Sequence, residues 1–97
     1  MSAYLITNLK VTNPEGFQAY RDLVAQTITD HGGEYVVADV NAIAVEGNPE
    51  LLAVVPKFPT MAALKGWYES PEYQAISSLR TDNSEGDLIF AEGLPES

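Results

Sequence analysis

The sequence predicts an α+β fold in which two strand–helix–strand units follow one another and share one antiparallel sheet. Two segments, near residues 14–31 and 60–80, carry apolar residues at the three- and four-residue spacings of amphipathic helices. The segments before and after each of them have the two-residue period of strands. The resulting order, βαββαβ, defines the ferredoxin-like sandwich, a four-stranded antiparallel sheet with both helices on one face.

The composition restricts the class of protein. A chain of 97 residues, 45% of them hydrophobic, is expected to form one domain, residues 1–97, around one core. It has no cysteine, no signal-peptide pattern and no apolar run near the roughly 20 residues of a membrane span, so we expect a cytoplasmic protein without a membrane partner. Fourteen acidic and five basic residues give a net charge of −9, which repels phosphate backbones and makes nucleic acid an unexpected partner.

The first strand–helix–strand unit starts with the alternating residues 3–11. Asn13 and Pro14 provide an N-cap and a first-turn proline for a helix over residues 14–31, which a glycine pair ends. Residues 34–40 and 42–47 then predict one long or bent strand, with Asn41 as its bulge or bend.

The second unit begins with a strand over residues 51–58, in which Pro56 marks the strand's end, a bulge or an unpaired edge. In the helical segment 60–80, Ser70 and Pro71 repeat the cap-then-proline pattern, so this helix is predicted to break around Ser70. Residues 87–93 predict the last strand.

Both faces of the predicted sheet are apolar. Leu5 and Leu88 fall on one face, while Ile6 and Ile89 fall on the other, because successive strand residues alternate. Two helices cover only one face, and the other would expose a larger apolar patch than soluble monomers usually tolerate. We therefore expect a homodimer that forms through the uncovered sheet face.

Several segments are similar to the DUF1330 proteins, uncharacterised small proteins of the dimeric α/β-barrel superfamily. The similarity runs essentially end to end and rests on the opening AYLI, on NPEGFQAYR, and above all on WYESPEYQAISSLR at residues 67–80. It implies a homodimer whose two sheets pack into a barrel, with a small-molecule cavity between sheet and helices. Relatives in that superfamily include cofactor-independent quinone-forming monooxygenases and haem-degrading enzymes.

No cofactor and no metal site is expected. The haem-degrading relatives generally ligate iron through a histidine on the second helix, and residues 60–80 contain none. His31 is the single histidine, and without cysteine one chain cannot supply a two-histidine site. The chain also departs from the family pattern near the expected pocket: residues 38–40 lack an Arg-Gly-Gly pattern, Lys57 replaces an acid, and His31 replaces an aromatic residue.

The candidate catalytic residue is His31, which could act as a general base. A structural role at the helix C-terminus is the favoured interpretation. His31 is also a candidate for ligand binding, as are Tyr20, Trp67 and Tyr68, for which plain core packing is the alternative. Arg80 could bind an anion or, as we favour, cap its helix, and Arg21 is expected to pair with surface acids.

Two function classes fit these residues, and whether the protein is an enzyme stays open. One is a small-molecule-binding protein, extending to a cofactor-independent oxygenase-like enzyme that acts on a small aromatic or quinone-like compound with His31 or a tyrosine as proton acceptor. The other is a non-catalytic ligand-binding or stress-associated homodimer whose aromatic residues only form core. An open cavity with two or more convergent polar groups would favour a ligand-binding site.

Overall fold

The computed structural model describes residues 1–95, which form a four-stranded antiparallel sheet with helices on one face. The elements are β1 (Ala3–Val11), α1 (Pro14–Asp30), β2 (Glu34–Asp39), β3 (Leu52–Phe58), α2 (Met61–Glu69), α3 (Pro71–Gln74), α4 (Ser77–Thr81) and β4 (Ser84–Glu92). The strand order is β2-β3-β1-β4. The predicted α+β fold is confirmed. Within residues 1–95, no helix is long and apolar enough to cross a membrane.

Helix α1 begins and ends at the residues that its sequence signals indicate. The Asn13 side chain accepts a hydrogen bond from the Gly16 N–H at 3.4 Å, and Pro14 occupies the first helical position. Gly32 ends the helix with φ +80°, a conformation that glycine adopts without a Cβ clash. A buried stripe faces the sheet, and it consists of Phe17, Tyr20, Val24 and Ile28.

The predicted break around Ser70 is confirmed. Ser70 has extended backbone (φ −65°, ψ 148°), and its Oγ donates to the Trp67 carbonyl at 2.7 Å and accepts the Tyr73 N–H at 3.2 Å. A single serine thus caps the end of α2 and the start of α3. A second break, which we did not predict, separates α3 from α4 at residues 75–76. There the backbone hydrogen bonds join residues three apart instead of the four apart of an α-helix.

The prediction of a strand through residues 42–47 is wrong, and so is the bulge at Asn41. Strand β2 ends at Asp39, whose carboxylate accepts the Asn41 N–H at 2.9 Å and turns the chain away. The last pair of the β2–β3 ladder joins Asp39 to Ala53, so β3 offers no partner to residues further along. A strand without a ladder leaves its backbone groups unpaired, and residues 40–51 form a loop instead.

Pro56 lies inside a central strand, opposite a bulge. It is buried in β3 and pairs with Tyr35, and the β2–β3 register shifts between Tyr35 and Val37. Of the three alternatives for this proline, the structure shows the bulge, which accommodates a residue without an N–H donor.

Strand β4 begins at Ser84, three residues before the predicted start. It pairs with β1 residue by residue, from Val11–Ser84 to Ala3–Glu92. Strand β4 therefore starts early because it pairs along the full length of β1. The residue pattern of 84–86 alone does not predict this pairing.

The two faces of the sheet differ in cover. The helix-side residues Leu5 and Leu9 are buried, whereas Ile6, Val37 and Ile89 on the other face are 39%, 43% and 56% exposed. Ile6 lies directly opposite Ile89 in the ladder, and Val37 lies opposite Val55. We call this uncovered surface the open face. The predicted apolar character of both faces is confirmed.

Candidate functional site: a cavity between α1 and the sheet

A cavity of about 220 Å³ lies between α1 and the helix-side face of the sheet. Its wall is mostly aliphatic and aromatic, with residues from α1, β1 and β3. The lining residues that are also exposed come from the outer edge of α1 and from β2 with its following residue, so the mouth lies between these two elements. The polar or charged lining side chains, indole included, are Thr7, Tyr20, Arg21, Tyr35, Trp67 and Arg80.

Three side chains from three helices form a hydrogen-bonded chain at this wall. The hydroxyl of Tyr20 on α1 lies 3.0 Å from the hydroxyl of Tyr73 on α3, and the Nε–H of Arg80 on α4 donates to the Tyr73 hydroxyl at 3.1 Å. Tyr73 is fully buried behind the wall, whereas Tyr20 and Arg80 line the cavity. The break at Ser70 is what places Tyr73 between the other two.

The direction of these hydrogen bonds follows from the burial of Tyr73. Its oxygen already accepts from Arg80, so its own proton needs an acceptor, and the Tyr20 oxygen is the partner that residues 1–95 provide. With Tyr73 donating to Tyr20, the Tyr20 proton is free to point into the cavity. The chain therefore presents a hydroxyl donor at the wall.

The protonation states support this assignment. Burial, with contributions from the adjacent Tyr73, raises the pKa of the Tyr20 hydroxyl far above its ordinary value. Burial alone would lower the pKa of Arg80, but its interactions with Tyr73, Tyr20 and Tyr68 outweigh that effect and the net direction is upward. At neutral pH Tyr20 is therefore a neutral donor and Arg80 is a cation, and Tyr20 is poorly suited to accept a proton.

Arg80 does not cap its helix, contrary to the interpretation we favoured from sequence. Its side chain turns to Tyr73, and the last carbonyls of α4 accept from other groups. The Asn83 amide donates to the Leu79 carbonyl at 2.7 Å, and the Ser84 hydroxyl donates to the Arg80 carbonyl at 2.6 Å. The guanidinium is thereby left to the cavity.

Trp67 lies on the cavity wall and Tyr68 does not. Trp67 is fully buried, and its indole N–H donates to the Thr27 hydroxyl at 3.0 Å. Tyr68 packs away from the cavity, with ring centroids 5.4 Å from Tyr73 and 5.6 Å from Phe90. Of the predicted ligand-binding residues, the structure brings Tyr20, Trp67 and Arg80 together at one wall.

His31 lies outside the cavity wall, at the C-cap of α1. Its Nδ1 is 2.8 Å from the Thr27 carbonyl oxygen, which only accepts, so Nδ1 carries the hydrogen. This contact is that of a structural cap, and a catalytic role for His31 stays a prediction. Among residues 1–95, no three His, Cys, Asp or Glu side chains are grouped so that they could hold a metal ion.

Sequence reasoning missed Tyr35, Arg21 and the polar role of Tyr73. Tyr73 and Arg80 are seven residues apart, about two helical turns, and this spacing was a usable signal for one shared face. Arg21 lines the cavity, where we had expected it to pair with surface acids. Tyr35 could not be found from sequence because its position depends on the bulge beside it.

Comparison with known proteins identifies the family. A family model described as a domain of unknown function, DUF1330, matches residues 2–94. The chain belongs to the DUF1330 family. No curated protein matches this DUF1330 chain in sequence.

Solved structures show the same fold at low identity. A protein of unknown function from Rhodopseudomonas palustris has a TM-score of 0.76 at 15% identity, over 98% of this chain and 84% of its own. A "putative antibiotic biosynthesis monooxygenase" from Nitrosomonas europaea has a TM-score of 0.56 at 10% identity, over 96% and 89%. A protein from Bacteroides fragilis, described as dimeric and ferredoxin-like, has a TM-score of 0.51 at 14% identity, over 95% and 94%. These likenesses concern the fold.

Proposed function

We propose that this DUF1330 protein binds a small, largely apolar molecule in the cavity between α1 and the sheet. The observation that carries the proposal is the wall itself, where Tyr20 and Arg80 converge on an open cavity whose lining is mostly apolar. An apolar pocket with a few placed polar groups is the usual form of a small-molecule site. A volume of about 220 Å³ is below the usual range for drug-sized ligands, which favours a ligand of about one ring.

Binding is better supported than catalysis. The name of the Nitrosomonas europaea neighbour, a "putative antibiotic biosynthesis monooxygenase", suggests an oxygenase-like reaction, and the family resemblance adds an aromatic or quinone-like compound as its substrate. Such a reaction starts with proton abstraction, and no His, Asp or Glu among the described residues lines the cavity. Because burial raises its pKa, Tyr20 also keeps its own proton at neutral pH and cannot accept another. We therefore put ligand binding first and an oxygenase-like activity second.

The binding proposal can be tested through Trp67. It is the single tryptophan and lies on the wall, so one indole N–H resonance reports on the cavity. Benzamide and benzoate, two single-ring probes, are titrated into the protein. Val24→Phe, which projects a ring into the cavity from α1, is expected to abolish the shift of that resonance. Leu23→Phe adds a ring at the neighbouring exposed position and should leave binding unchanged.

Two results would contradict the proposal. One is the absence of a saturable shift with either probe in the unmodified protein. The other is equal binding by the Val24→Phe variant with an intact thermal transition. If Val24→Phe does not fold, Ala25→Leu at the exposed mouth narrows the entrance without changing the core.

We also propose that two copies associate through the open face. Its apolar residues Ile6, Val37 and Ile89 have no cover from the chain's own helices. The loop 40–51 exposes further apolar surface, with Ile43 89% and Val45 88% exposed. A standard interface buries about 800 Å² from each partner, and a sheet face of this kind can supply it. The description of the Bacteroides fragilis neighbour as dimeric supports association of two copies, and the choice of the open face rests on its exposed apolar residues.

A further inference from the structure

We propose that the ligand of the cavity is a small carboxylate with an apolar body, its charged oxygens held by Arg80 and the Tyr20 hydroxyl. The inference rests on the proposed binding function and adds to it the charge and the orientation of the ligand. It follows from the charges, the free donors and the apolar lining of the cavity.

The charge of the cavity is opposite to that of the protein. The chain contains two arginines, Arg21 and Arg80, and both line the cavity. None of its 14 acidic residues that fall in the described range lines it. The groups that raise the pKa of Arg80 are tyrosines alone. In a protein of net charge −9, a cavity with two cations and no carboxylate is a place where an anion is stabilised.

Arg80 has unused donors in a fixed orientation. Its Nε–H is taken by the Tyr73 hydroxyl, which holds the guanidinium plane. The N–H groups on its two terminal nitrogens have no acceptor among residues 1–95. Because residues 1–95 contain no buried side-chain nitrogen or oxygen that lacks a hydrogen-bond partner, these two nitrogens are not buried. They therefore face the cavity or water. A planar pair of N–H groups with this freedom matches the two oxygens of a carboxylate.

Tyr20 provides the second donor. Its oxygen and the Arg80 Nε each lie close to the Tyr73 hydroxyl, which keeps the two within about 6 Å of each other. Since Tyr73 donates to Tyr20, the Tyr20 proton points towards the same space. The sheet side of the lining is largely aliphatic, with Leu5, Val54 and Leu88 around the hydroxyl of Thr7, and suits an apolar body. This lining favours a carboxylate with an apolar body over inorganic phosphate, which has no apolar part.

The test uses three single-ring probes of nearly the same shape and different charge: benzoate, benzamide and benzamidine. Each is titrated while the Trp67 indole resonance is followed. We expect benzoate to bind at least tenfold more tightly than neutral benzamide, and cationic benzamidine to give no saturable shift.

Arg80→Gln should weaken benzoate binding by roughly ten- to a hundredfold and leave benzamide binding almost unchanged. Lys65→Gln is the matched control, because it removes the same charge from an exposed position on α2 outside the cavity. Arg80→Lys keeps the charge without the planar guanidinium, and its affinity for benzoate should lie between those of Arg80→Gln and Lys65→Gln. Melting curves confirm that each variant is folded.

The outcomes separate this inference from the binding proposal. If benzamide and benzoate bind equally and Val24→Phe abolishes both, the cavity binds ligands and the carboxylate inference is wrong. If Lys65→Gln weakens benzoate as much as Arg80→Gln does, the effect is one of net charge and the inference is again wrong. Displacement of benzoate by an equal concentration of inorganic phosphate would overturn the need for an apolar body. If no probe binds, both proposals fail together.

Discussion

The helical corner around Ser70 and the edge strand β2 with its following loop differ in how they are held. At the corner, Leu64, Trp67 and Tyr73 are fully buried, and the polar atoms of Ser70, Trp67 and Tyr73 all have partners. All six residues of β2 are exposed, and so are most of residues 40–51. The corner is stabilised by the chain's own contacts. Strand β2 and the loop present apolar surface that the rest of residues 1–95 leaves uncovered.

Trp67→Ala should have the largest effect on stability. It empties a fully buried site between Phe58 and Tyr73, whose ring centroids lie 5.6 Å and 4.2 Å from that of Trp67. We expect the free energy of unfolding to fall by about 3–5 kcal/mol. Val37→Ala on β2 is the matched truncation in the other region, with an expected change of about 0.5 kcal/mol at a concentration where the protein is monomeric. Urea unfolding measures both, and similar losses would contradict the comparison.

Ile89→Lys tests the open face. A charge beside Ile6 of the neighbouring strand would be buried in the proposed dimer, so we expect a monomer by sedimentation at micromolar concentration. The far-ultraviolet circular dichroism spectrum should not change, because Ile89 is 56% exposed within one chain. Ala62→Lys at an exposed position on α2 adds the same charge away from the open face and should leave association intact. A sedimentation coefficient of a monomer for the unmodified protein would remove the dimer proposal.

Tyr20→Phe tests the buried chain of hydrogen bonds. It leaves the Tyr73 proton without its acceptor, at a cost of about 1–3 kcal/mol at neutral pH. Because the pKa of Tyr20 is raised on folding, its contribution is present below the ordinary tyrosine pKa of about 10 and is lost as pH rises above it. The variant should therefore lose stability less steeply between about pH 10 and 11.5. If the free energy of unfolding falls equally steeply with pH in the unmodified protein and in Tyr20→Phe, Tyr20 does not titrate in this way.

Ser70→Ala should have a smaller effect on stability than Trp67→Ala or Tyr20→Phe. It removes the cap of α3 and the bond to the Trp67 carbonyl, for an expected loss of about 1 kcal/mol. Ser70→Asp retains an acceptor for the Tyr73 N–H and serves as the comparison. Thermal unfolding followed by circular dichroism is sufficient. A loss as large as that of Trp67→Ala would mean that the corner depends on its cap more than on its packing.

Most of the fold and part of the site could be predicted from the sequence. Local signals of spacing and capping, which act within a few residues, predict the order of helices and strands along the chain. They also predict the helix start at Pro14 and the break at Ser70. The same reasoning named Tyr20, Trp67 and Arg80 as candidate ligand-binding residues, because aromatic and cationic residues on the inner side of a helix lie against the sheet. It was wrong for residues 42–47, whose apolar alternation has no partner strand to pair with.

The sequence by itself determined the position of most helices and strands, which faces of the sheet are apolar, and that the chain carries few cations among many acids. Only the tertiary structure decided that Arg80 leaves its own helix end for Tyr73, that Tyr35 reaches the cavity through a bulge, and that His31 lies outside it. The physical reason is the distance along the sequence over which each kind of interaction acts. Capping and periodicity depend on neighbours in sequence, whereas a cavity wall depends on side chains from α1, α2, α4 and all four strands, which meet only after packing.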